Sequence, residues 1–227
     1  WTHPELGPIA PATFIPLAEE MGLISDITAW MIRNAAGECS RWMGDIGVAV
    51  NVSARDFRGV DLPALIDAAL AETGLAAHRL EIEVTETAVI EERELAQSVL
   101  KGLSARGIAI ALDDFGTGYS SLSYLNALPF TKLKIDRSFV ADIATSPRAL
   151  SLLANVARLG RDLDLVVVAE GVETEAQLDA MLQHTRIQQV QGYLFSRPLP
   201  ARDIAELIAR LNGQRGALSP PTKRKHG

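Results

Sequence analysis

The 227-residue sequence is poor in cysteine and in long hydrophobic runs. It contains one cysteine, Cys39, and no run of the roughly 18 apolar residues that a membrane-spanning helix needs. A single cysteine excludes an intrachain disulfide framework and favours a reducing compartment. The N-terminal residues also lack the pattern of a secretory signal peptide. We therefore expect a domain that faces the cytosol, whether or not the full-length protein is membrane-anchored.

The sequence also lacks excess positive charge. Lys and Arg number 22 against 28 Asp and Glu, which gives a net charge of −6 and a pI of about 5.3. An acidic chain binds polyphosphate backbones poorly, so we expect no nucleic-acid polymer as a partner, and a phosphate ester would need cations to mediate its binding. The short basic run Lys223-Arg-Lys is interpreted as solvated charge within a disordered tail, residues 214–227.

Strand-like and helix-like segments alternate along the rest of the chain, which predicts βα units and a mainly parallel sheet. Helix signals include an N-cap at Asp61 and a capping box formed by Thr174 and Gln177. Two helices, about Pro11–Leu23 and Asp26–Trp42, precede the first strand. The six predicted strands are Val48–Ser53, Leu80–Glu86, Ile108–Asp114, Lys132–Asp136, Leu165–Glu170 and Gln189–Phe195. An eight-stranded barrel would need two more strands, which would have to lie before Trp1.

Polar side chains recur near the carboxyl ends of these strands. Successive residues of a strand face opposite sides of a sheet, and the bulky residues fall on one side and polar residues on the other. The polar residues are Asn51, Glu83, Asp113, Lys134 and Glu170. In a barrel these groups would meet at one mouth, where barrel enzymes do chemistry, whereas in an open sheet they would spread along an edge. Their chemical compatibility favours the barrel.

The charges expected at this mouth predict a metal site. Glu83, Asp113, Asp114 and Glu170 would lie together, with Glu86 and Glu173 nearby, and Lys134 is their only clear cationic partner. Carboxylates so close repel one another unless a cation lies among them. Oxygen ligands, including the Asn51 amide, favour Mg²⁺ or Mn²⁺, and no histidine adjoins the group, which disfavours zinc. Two adjacent aspartates suggest two ions about 4 Å apart.

Each feature alone has an ordinary structural explanation. An Asp-Asp pair after a strand is usually a turn or a helix cap, and a lone strand lysine usually pairs or extends to solvent. Asp114-Phe-Gly is also similar to a kinase metal motif, but no glycine-rich nucleotide loop or His-Arg-Asp loop accompanies it. The coincidence of compatible polar groups at five strand ends favours a functional site.

These residues belong to longer motifs, through which the sequence resembles the EAL family of cyclic di-GMP phosphodiesterases. The matching motifs occur in the family's order from near Trp1 to about Leu211. They are Phe14-Ile-Pro-Leu-Ala-Glu-Glu-Met-Gly-Leu, Asn51-Val-Ser, Glu83-Val-Thr-Glu86, Asp113-Asp-Phe-Gly-Thr-Gly-Tyr-Ser-Ser-Leu, Lys134-Ile-Asp-Arg-Ser-Phe-Val, Ala169-Glu-Gly-Val-Glu-Thr and Gln191-Gly-Tyr-Leu-Phe-Ser-Arg-Pro-Leu. The resemblance implies an α/β, TIM-like (β/α)8 barrel over residues 1–213, with one antiparallel strand in the family and the first two strands lacking here.

The resemblance also implies roles for the matching residues. It implies hydrolysis of cyclic di-GMP to linear pGpG with two Mg²⁺ or Mn²⁺ ions, and inhibition by Ca²⁺ because its looser geometry misplaces the attacking water. The metal ligands would be Asn51, Glu83, Asp113, Asp114 and Glu170, and Lys134 and Glu170 would hold and deprotonate the attacking water. Glu86 would anchor the Phe115–Ser121 loop, Glu173 would support the metal shell, and Gln191 would contact the substrate. The resemblance further implies cyclic di-GMP as the partner, a homodimer, and an upstream GGDEF or sensor domain in the full-length protein.

One departure from the family pattern bears on activity. The Glu-Ala-Leu motif that names the family, and an arginine that contacts substrate, would lie upstream of Trp1, so we expect the polypeptide 1–227 alone to be inactive. A second departure, Ile187-Gln188 in place of a common Cys-Asp pair, is minor. The alternatives are a non-catalytic cyclic di-GMP receptor and an unrelated Mg²⁺-dependent lyase of the enolase type. The Gly-Thr-Gly-Tyr-Ser-Ser loop disfavours the lyase.

Overall fold

The computed structural model describes residues 1–117 and 122–218. Within these residues, six parallel strands form one sheet in chain order, and a short antiparallel ribbon precedes them. The ribbon consists of β1 (Thr2–His3) and β2 (Gly7–Pro8). The sheet consists of β3 (Val48–Val52), β4 (Leu80–Thr85), β5 (Ala109–Phe115), β6 (Lys132–Ile135), β7 (Val166–Ala169) and β8 (Gln189–Val190). Each predicted strand is present, with ends that shift by a few residues.

Helices occupy the connections between the strands, as the βα prediction requires. They are α1 (Pro11–Glu20), α2 (Ile24–Ser40), α3 (Asp56–Gly59), α4 (Leu62–Thr73), α5 (Glu86–Glu91), α6 (Arg93–Ser104), α7 (Leu122–Ala127), α8 (Pro147–Asp162), α9 (Glu175–His184) and α10 (Ile204–Leu218). The Asp61 side chain accepts a hydrogen bond from the Ala64 amide at 3.1 Å, and the capping box of Thr174 and Gln177 begins α9. Both predicted caps are confirmed. Among the described residues, no helix combines the length and apolarity needed to cross a bilayer.

The chain termini differ from the sequence-based expectation. The three prolines among the first eleven residues predict a loop, but this segment contains the β1–β2 ribbon. The turn of the ribbon is held by the His3 ring, which accepts hydrogen bonds from the Glu5 and Leu6 amides. At the other end, α10 continues to Leu218 and so passes the tail boundary predicted at 213. No proline occurs between Pro200 and Pro220, so Gly213 and Gly216 weaken the helix without ending it. The remainder of the predicted tail, residues 219–227, lies outside the described residues.

The hydrophobic core lies on the side of the sheet that the helices cover. The side chains of β4, β5 and β6 that face the helices are fully or almost fully buried, namely Leu80, Ile82, Val84, Ile110, Leu112, Leu133 and Ile135. These are the bulky positions of the period-two pattern. The opposite side of the sheet therefore carries the polar residues, in agreement with a TIM-like α/β fold in which that side faces the barrel interior.

A buried carboxylate joins α2 to the end of β3. Asp56 is fully buried and accepts hydrogen bonds from Ser25 Oγ and Thr28 Oγ1, both at 2.8 Å, and from the Ser53 amide at 3.0 Å. Ser53 Oγ in turn donates to Glu19 Oε1 on α1 at 2.6 Å. This arrangement fixes the segment that follows Asn51.

Replacing Asp56 with alanine should destabilise the domain strongly. One buried donor, Thr28 Oγ1, and two half-buried donors, Ser25 Oγ and the Ser53 amide, would lose their acceptor. Leaving a buried donor unsatisfied costs about 1–3 kcal/mol, and a half-buried donor costs less, so we expect a loss of roughly 3 kcal/mol in all. Urea unfolding followed by circular dichroism measures the change. Asp61→Ala is the matched control, because loss of an N-cap costs about 1 kcal/mol. Equal effects of the two substitutions would contradict the role assigned to Asp56.

Candidate active site

The polar residues predicted at the strand ends lie on one face of the sheet. Asn51 on β3 is in register with Glu83 on β4, and Thr85, two residues beyond Glu83, is in register with Asp113 on β5. Lys134 is the third residue of β6, and Glu170 directly follows β7. Because all six strands run parallel, their carboxyl ends lie at the same edge of the sheet.

Lys134 lies at the centre of this group. Its Nζ is 2.9 Å from Glu83 Oε1, 2.9 Å from Asp113 Oδ1 and 2.8 Å from Glu170 Oε1. The lysine side chain is only 6% exposed, so its charge interacts with these carboxylates through little solvent. The ammonium on β6 thus contacts carboxylates from β4, from β5 and from the residue after β7. The sequence-based prediction had named Lys134 as the cationic partner of these carboxylates.

The electrostatics of the group follow from burial and from repulsion between the carboxylates. Burial raises the pKa of Glu83 and of Glu170, and the nearby Asp113 carboxylate raises both further, while Lys134 acts in the opposite direction. Burial opposes the charged form of Lys134 itself, but Glu83, Glu170 and Asp113 outweigh it and raise the lysine pKa above its ordinary value. The site therefore holds a permanent cation among carboxylates that would gain from further positive charge.

The two adjacent aspartates are set apart by an irregularity in β5. The pairing of β5 with β6 shifts between Leu112 and Phe115, and Asp114 has a left-handed φ of 54°. A bulge of this kind redirects side chains, and a positive φ is costly for a non-glycine residue. It lets consecutive carboxylates turn to the same side, where carboxylate oxygens of Asp113, Asp114 and Glu170 lie within 4.8 Å of one another. Burial, then the Asp113 and Asp136 charges, raise the pKa of Asp114.

The remaining predicted residues lie around this centre. Asn51 is exposed on β3, and Glu86 is almost fully buried as the first residue of α5. Glu173 is exposed, and its amide donates to Gln177 Oε1 at 2.8 Å at the start of α9. Gln191 is exposed after β8 and is held by its backbone, which donates to the Ala169 carbonyl at 2.9 Å and accepts from the Val172 amide at 3.0 Å. The loop that Glu86 was predicted to anchor, Phe115–Ser121, is described only to Thr117.

The start of that loop shows why it needs glycine. Gly116 has a φ of 97°, and a Cβ added to it would lie 2.5 Å from the Phe139 ring. Both the conformation and the space exclude a larger residue. Thr117 Oγ1 donates to the Asp114 carbonyl at 2.9 Å, which ties the beginning of the loop to the second aspartate. Residues 118–121 lie outside the described residues.

Two features of the site escaped the sequence-based prediction. Asp136 follows β6 and accepts a hydrogen bond from the Ser138 amide at 2.9 Å; burial raises its pKa, but the hydrogen bonds from Ser138 and Arg137 outweigh this and lower it. Lys132 pairs with Glu81 deeper on the same face of the sheet, 2.6 Å apart. The period-two pattern places all three residues on this face, which is the signal that could have found them.

The residues at the centre fit divalent cations. The donor set of Asp113, Asp114 and Glu170 consists only of carboxylate oxygens, which hard cations such as Mg²⁺ and Mn²⁺ prefer. Burial, and after it repulsion from Asp113, raises the pKa of Asp114 and of Glu170. Several carboxylates face the single Lys134 ammonium here, which leaves a shortage of positive charge. A cation at these oxygens would relieve that shortage.

A comparison with protein families decides the classification. The EAL domain family matches residues 1–198 of the chain. The chain belongs to the EAL domain family. The motifs quoted for the resemblance lie within the matched residues except for Leu199, the last residue of the final motif, so the family assignment that the sequence predicted is confirmed.

Relatives of known name support the same assignment. The chain is 40% identical over 213 residues to the bifunctional diguanylate cyclase/cyclic di-GMP phosphodiesterase MucR of Pseudomonas aeruginosa, an alignment that covers 92% of this chain and 31% of MucR. It is 42% identical to the cyclic di-GMP phosphodiesterase NbdA of the same organism, with coverage of 92% and 27%. This EAL chain thus spans about a third or less of the length of these relatives.

A solved structure extends the similarity to the fold. The PaMucR phosphodiesterase in complex with c-di-GMP superposes with a TM-score of 0.84 at 40% identity, covering 90% of this chain and 84% of that one. The EAL enzyme Bd1971, with cAMP and cyclic di-GMP bound, gives a TM-score of 0.85 at 28% identity, covering 92% and 58%. The TIM-like fold predicted from the strand pattern is therefore confirmed.

Proposed function

We propose that this EAL domain hydrolyses one phosphodiester bond of cyclic di-GMP to give linear pGpG, with two divalent cations. Two relatives are named cyclic di-GMP phosphodiesterases, and a similar structure holds c-di-GMP. The observation that carries the proposal is the centre itself, where Lys134 lies within 2.9 Å of Glu83, Asp113 and Glu170, and Asp114 adjoins the last two. Product analysis tests it, because a phosphodiesterase converts cyclic di-GMP to linear pGpG, whereas a receptor leaves the nucleotide cyclic.

Glu170 is the residue best placed to accept a proton from the attacking water. Its carboxylate lies at the edge of the sheet, 2.8 Å from the Lys134 ammonium, and burial raises its pKa toward that of an effective base. Lys134 holds the carboxylate in place, and an N–H released when a cation takes over one of its three carboxylate partners would orient the water. Divalent cations, when bound, neutralise the phosphate charge and lower the pKa of water.

The other residues would hold the cations and the substrate. Asn51, Glu83, Asp113, Asp114 and Glu170 would supply oxygen ligands from three neighbouring strands, β3, β4 and β5, and from the residue after β7. Glu86, buried at the start of α5, is proposed to anchor the loop that follows Asp114. Glu173 would support the ligand shell, and Gln191, exposed after β8, would contact the nucleotide.

The alternative is a receptor that binds cyclic di-GMP without hydrolysing it. The presence of the two aspartates, the lysine and Glu170 in one centre favours the phosphodiesterase, since a receptor has no need for a base beside a cluster of carboxylate ligands. A receptor would bind one cyclic di-GMP and return it unchanged.

Hydrolysis should depend on the cation supplied. Mg²⁺ and Mn²⁺ should support it, and excess chelator should abolish it, because the carboxylates alone would repel the dianionic substrate. Ca²⁺ should bind but inhibit, since its longer and more variable coordination misplaces the water. Chromatography of the nucleotides after incubation with each cation checks this. Full activity in excess EDTA would contradict the two-metal mechanism.

We also propose that hydrolysis needs a glutamate upstream of Trp1. The domain is further proposed to act as a homodimer within a longer signalling protein. In the described residues β3 pairs only with β4, so its other edge has no strand partner. The polypeptide 1–227 alone should therefore hydrolyse cyclic di-GMP negligibly and self-associate. Light scattering and pGpG release, compared with the full-length protein, measure both effects. A monomeric polypeptide 1–227 of full activity would contradict this proposal.

A further inference from the structure

A second lysine–glutamate pair lies beside the proposed centre on the same face of the sheet. Lys132 Nζ lies 2.6 Å from Glu81 Oε2, and the two side chains are 21% and 14% exposed. Lys132 precedes Lys134 by two residues on β6, and Glu81 precedes Glu83 by two residues on β4. Because side chains of a strand repeat every two residues, the two pairs form successive rungs from β6 to β4.

The strand between them makes these rungs possible. β5 lies between β4 and β6 and presents Ala109 beside Glu81 and Ala111 beside both Glu83 and Lys132. Both residues have only a methyl side chain, so each lysine can reach over β5 to a glutamate on β4. The next residue on this face of β5 is Asp113, which lies against Lys134.

We propose that Lys132 is a positioning residue: by pairing with Glu81, it keeps the Glu81 carboxylate from competing for the Lys134 ammonium. A poorly exposed carboxylate without a counter-ion is costly, so it takes the nearest available cation. Lys134 is two residues further along the same face and already has three carboxylate partners. A fourth would draw its ammonium away from Glu170 and from the mouth of the site. The consequence for hydrolysis rests on the function proposed above.

The single substitutions should change cation binding in opposite directions. Lys132→Met removes one positive charge and frees Glu81 to draw Lys134 inward, so Mn²⁺ should bind about tenfold tighter, whereas kcat should fall about tenfold with little change in KM. Glu81→Gln leaves Lys132 without its partner and free to turn to Glu83, so Mn²⁺ should bind about tenfold more weakly. Loss of folding alone would not tighten Mn²⁺ binding.

The double substitution Lys132→Met with Glu81→Gln is the sharpest part of the test. It removes both charges, so nothing competes for Lys134, and Mn²⁺ affinity and kcat should return to within about threefold of the unaltered protein. Lys132→Arg keeps the cation and should also be near normal. Arg106→Met, which breaks an exposed pair with Asp67 on the helical surface, is the matched control and should change neither quantity.

Two readouts in the full-length protein need no turnover. Electron paramagnetic resonance of free Mn²⁺ gives the affinity without nucleotide, and a metal-free crystal structure of Lys132→Met gives the position of Lys134. The proposal is overturned if Lys134 Nζ stays within about 3 Å of Glu83 and Glu170 in that variant, or if the double substitution fails to reverse the effects of the single ones. If both readouts change as expected but cyclic di-GMP is never hydrolysed, the positioning role stands and the phosphodiesterase function fails.

Discussion

Glu170→Gln should lower kcat for cyclic di-GMP hydrolysis at least about 10²-fold, the usual scale for a general base, while cyclic di-GMP binding survives. Glutamine has nearly the same shape, and its carbonyl can still accept a hydrogen bond from Lys134, which now lies 2.8 Å from the carboxylate. It cannot accept the proton of the attacking water. Stopped assays with chromatographic separation measure kcat, and calorimetry with the nucleotide measures binding.

A matched substitution shows whether the effect is specific. Glu175→Gln changes an exposed glutamate at the first residue of α9, outside the proposed centre, and should leave kcat unchanged. Normal turnover by Glu170→Gln would show that Glu170 is structural. Loss of binding together with activity would show that it acts mainly as a ligand for the cations rather than as the base.

Lys134→Met should destabilise the metal-free domain by about 3 kcal/mol and reduce hydrolysis at least about 10²-fold. Three carboxylates from different strands, those of Glu83, Asp113 and Glu170, would lose their shared cation and repel one another. Removing one partner of a buried ionic group leaves uncompensated charge, which is the costly case. Thermal and urea unfolding in EDTA measure the loss.

Mn²⁺ should restore much of the stability that Lys134→Met removes. A cation bound only by the folded state stabilises it in proportion to the logarithm of its concentration over Kd, and in this variant no ammonium competes for the carboxylates. Activity should not return, because the donor that orients the water is gone. Arg41→Met, which breaks an exposed pair with Glu38, is the control and should change stability by no more than about 1 kcal/mol. Equal unfolding curves for the two variants in EDTA would refute the central place given to Lys134.

The strands and the sides they present were predictable because periodicity is a local signal. The alternation of bulky and polar residues along Leu80–Thr85 and Ala109–Phe115 predicts a buried face and a polar face. In the structure the bulky side chains are buried against the helices and the polar ones lie on the opposite face. The caps of α4 and α9 were likewise predictable from a few adjacent residues. The meeting of Glu83, Asp113, Lys134 and Glu170 followed once the strands were taken as parallel neighbours.

Features that depend on register or on distant contacts were not predictable in this way. The Lys132–Glu81 pair forms because β5 has alanines at the positions between the two side chains. This depends on the register of β4, β5 and β6, which cannot be read from the sequence. Asp56 is a buried acceptor only because Ser25 and Thr28, 31 and 28 residues away, approach it. The left-handed φ of Asp114 arises from a shift in strand pairing that no local pattern reveals.

Product analysis in ¹⁸O-labelled water tests the central claim most directly. Full-length protein is incubated with cyclic di-GMP and Mn²⁺, and the nucleotides are separated and weighed by mass spectrometry. A phosphodiesterase that activates water predicts linear pGpG carrying one ¹⁸O atom in its terminal phosphate, formed with Mn²⁺ and not in excess EDTA. Recovery of all the cyclic di-GMP intact, from protein that binds it stoichiometrically in the presence of Mn²⁺, would contradict the account and identify a receptor.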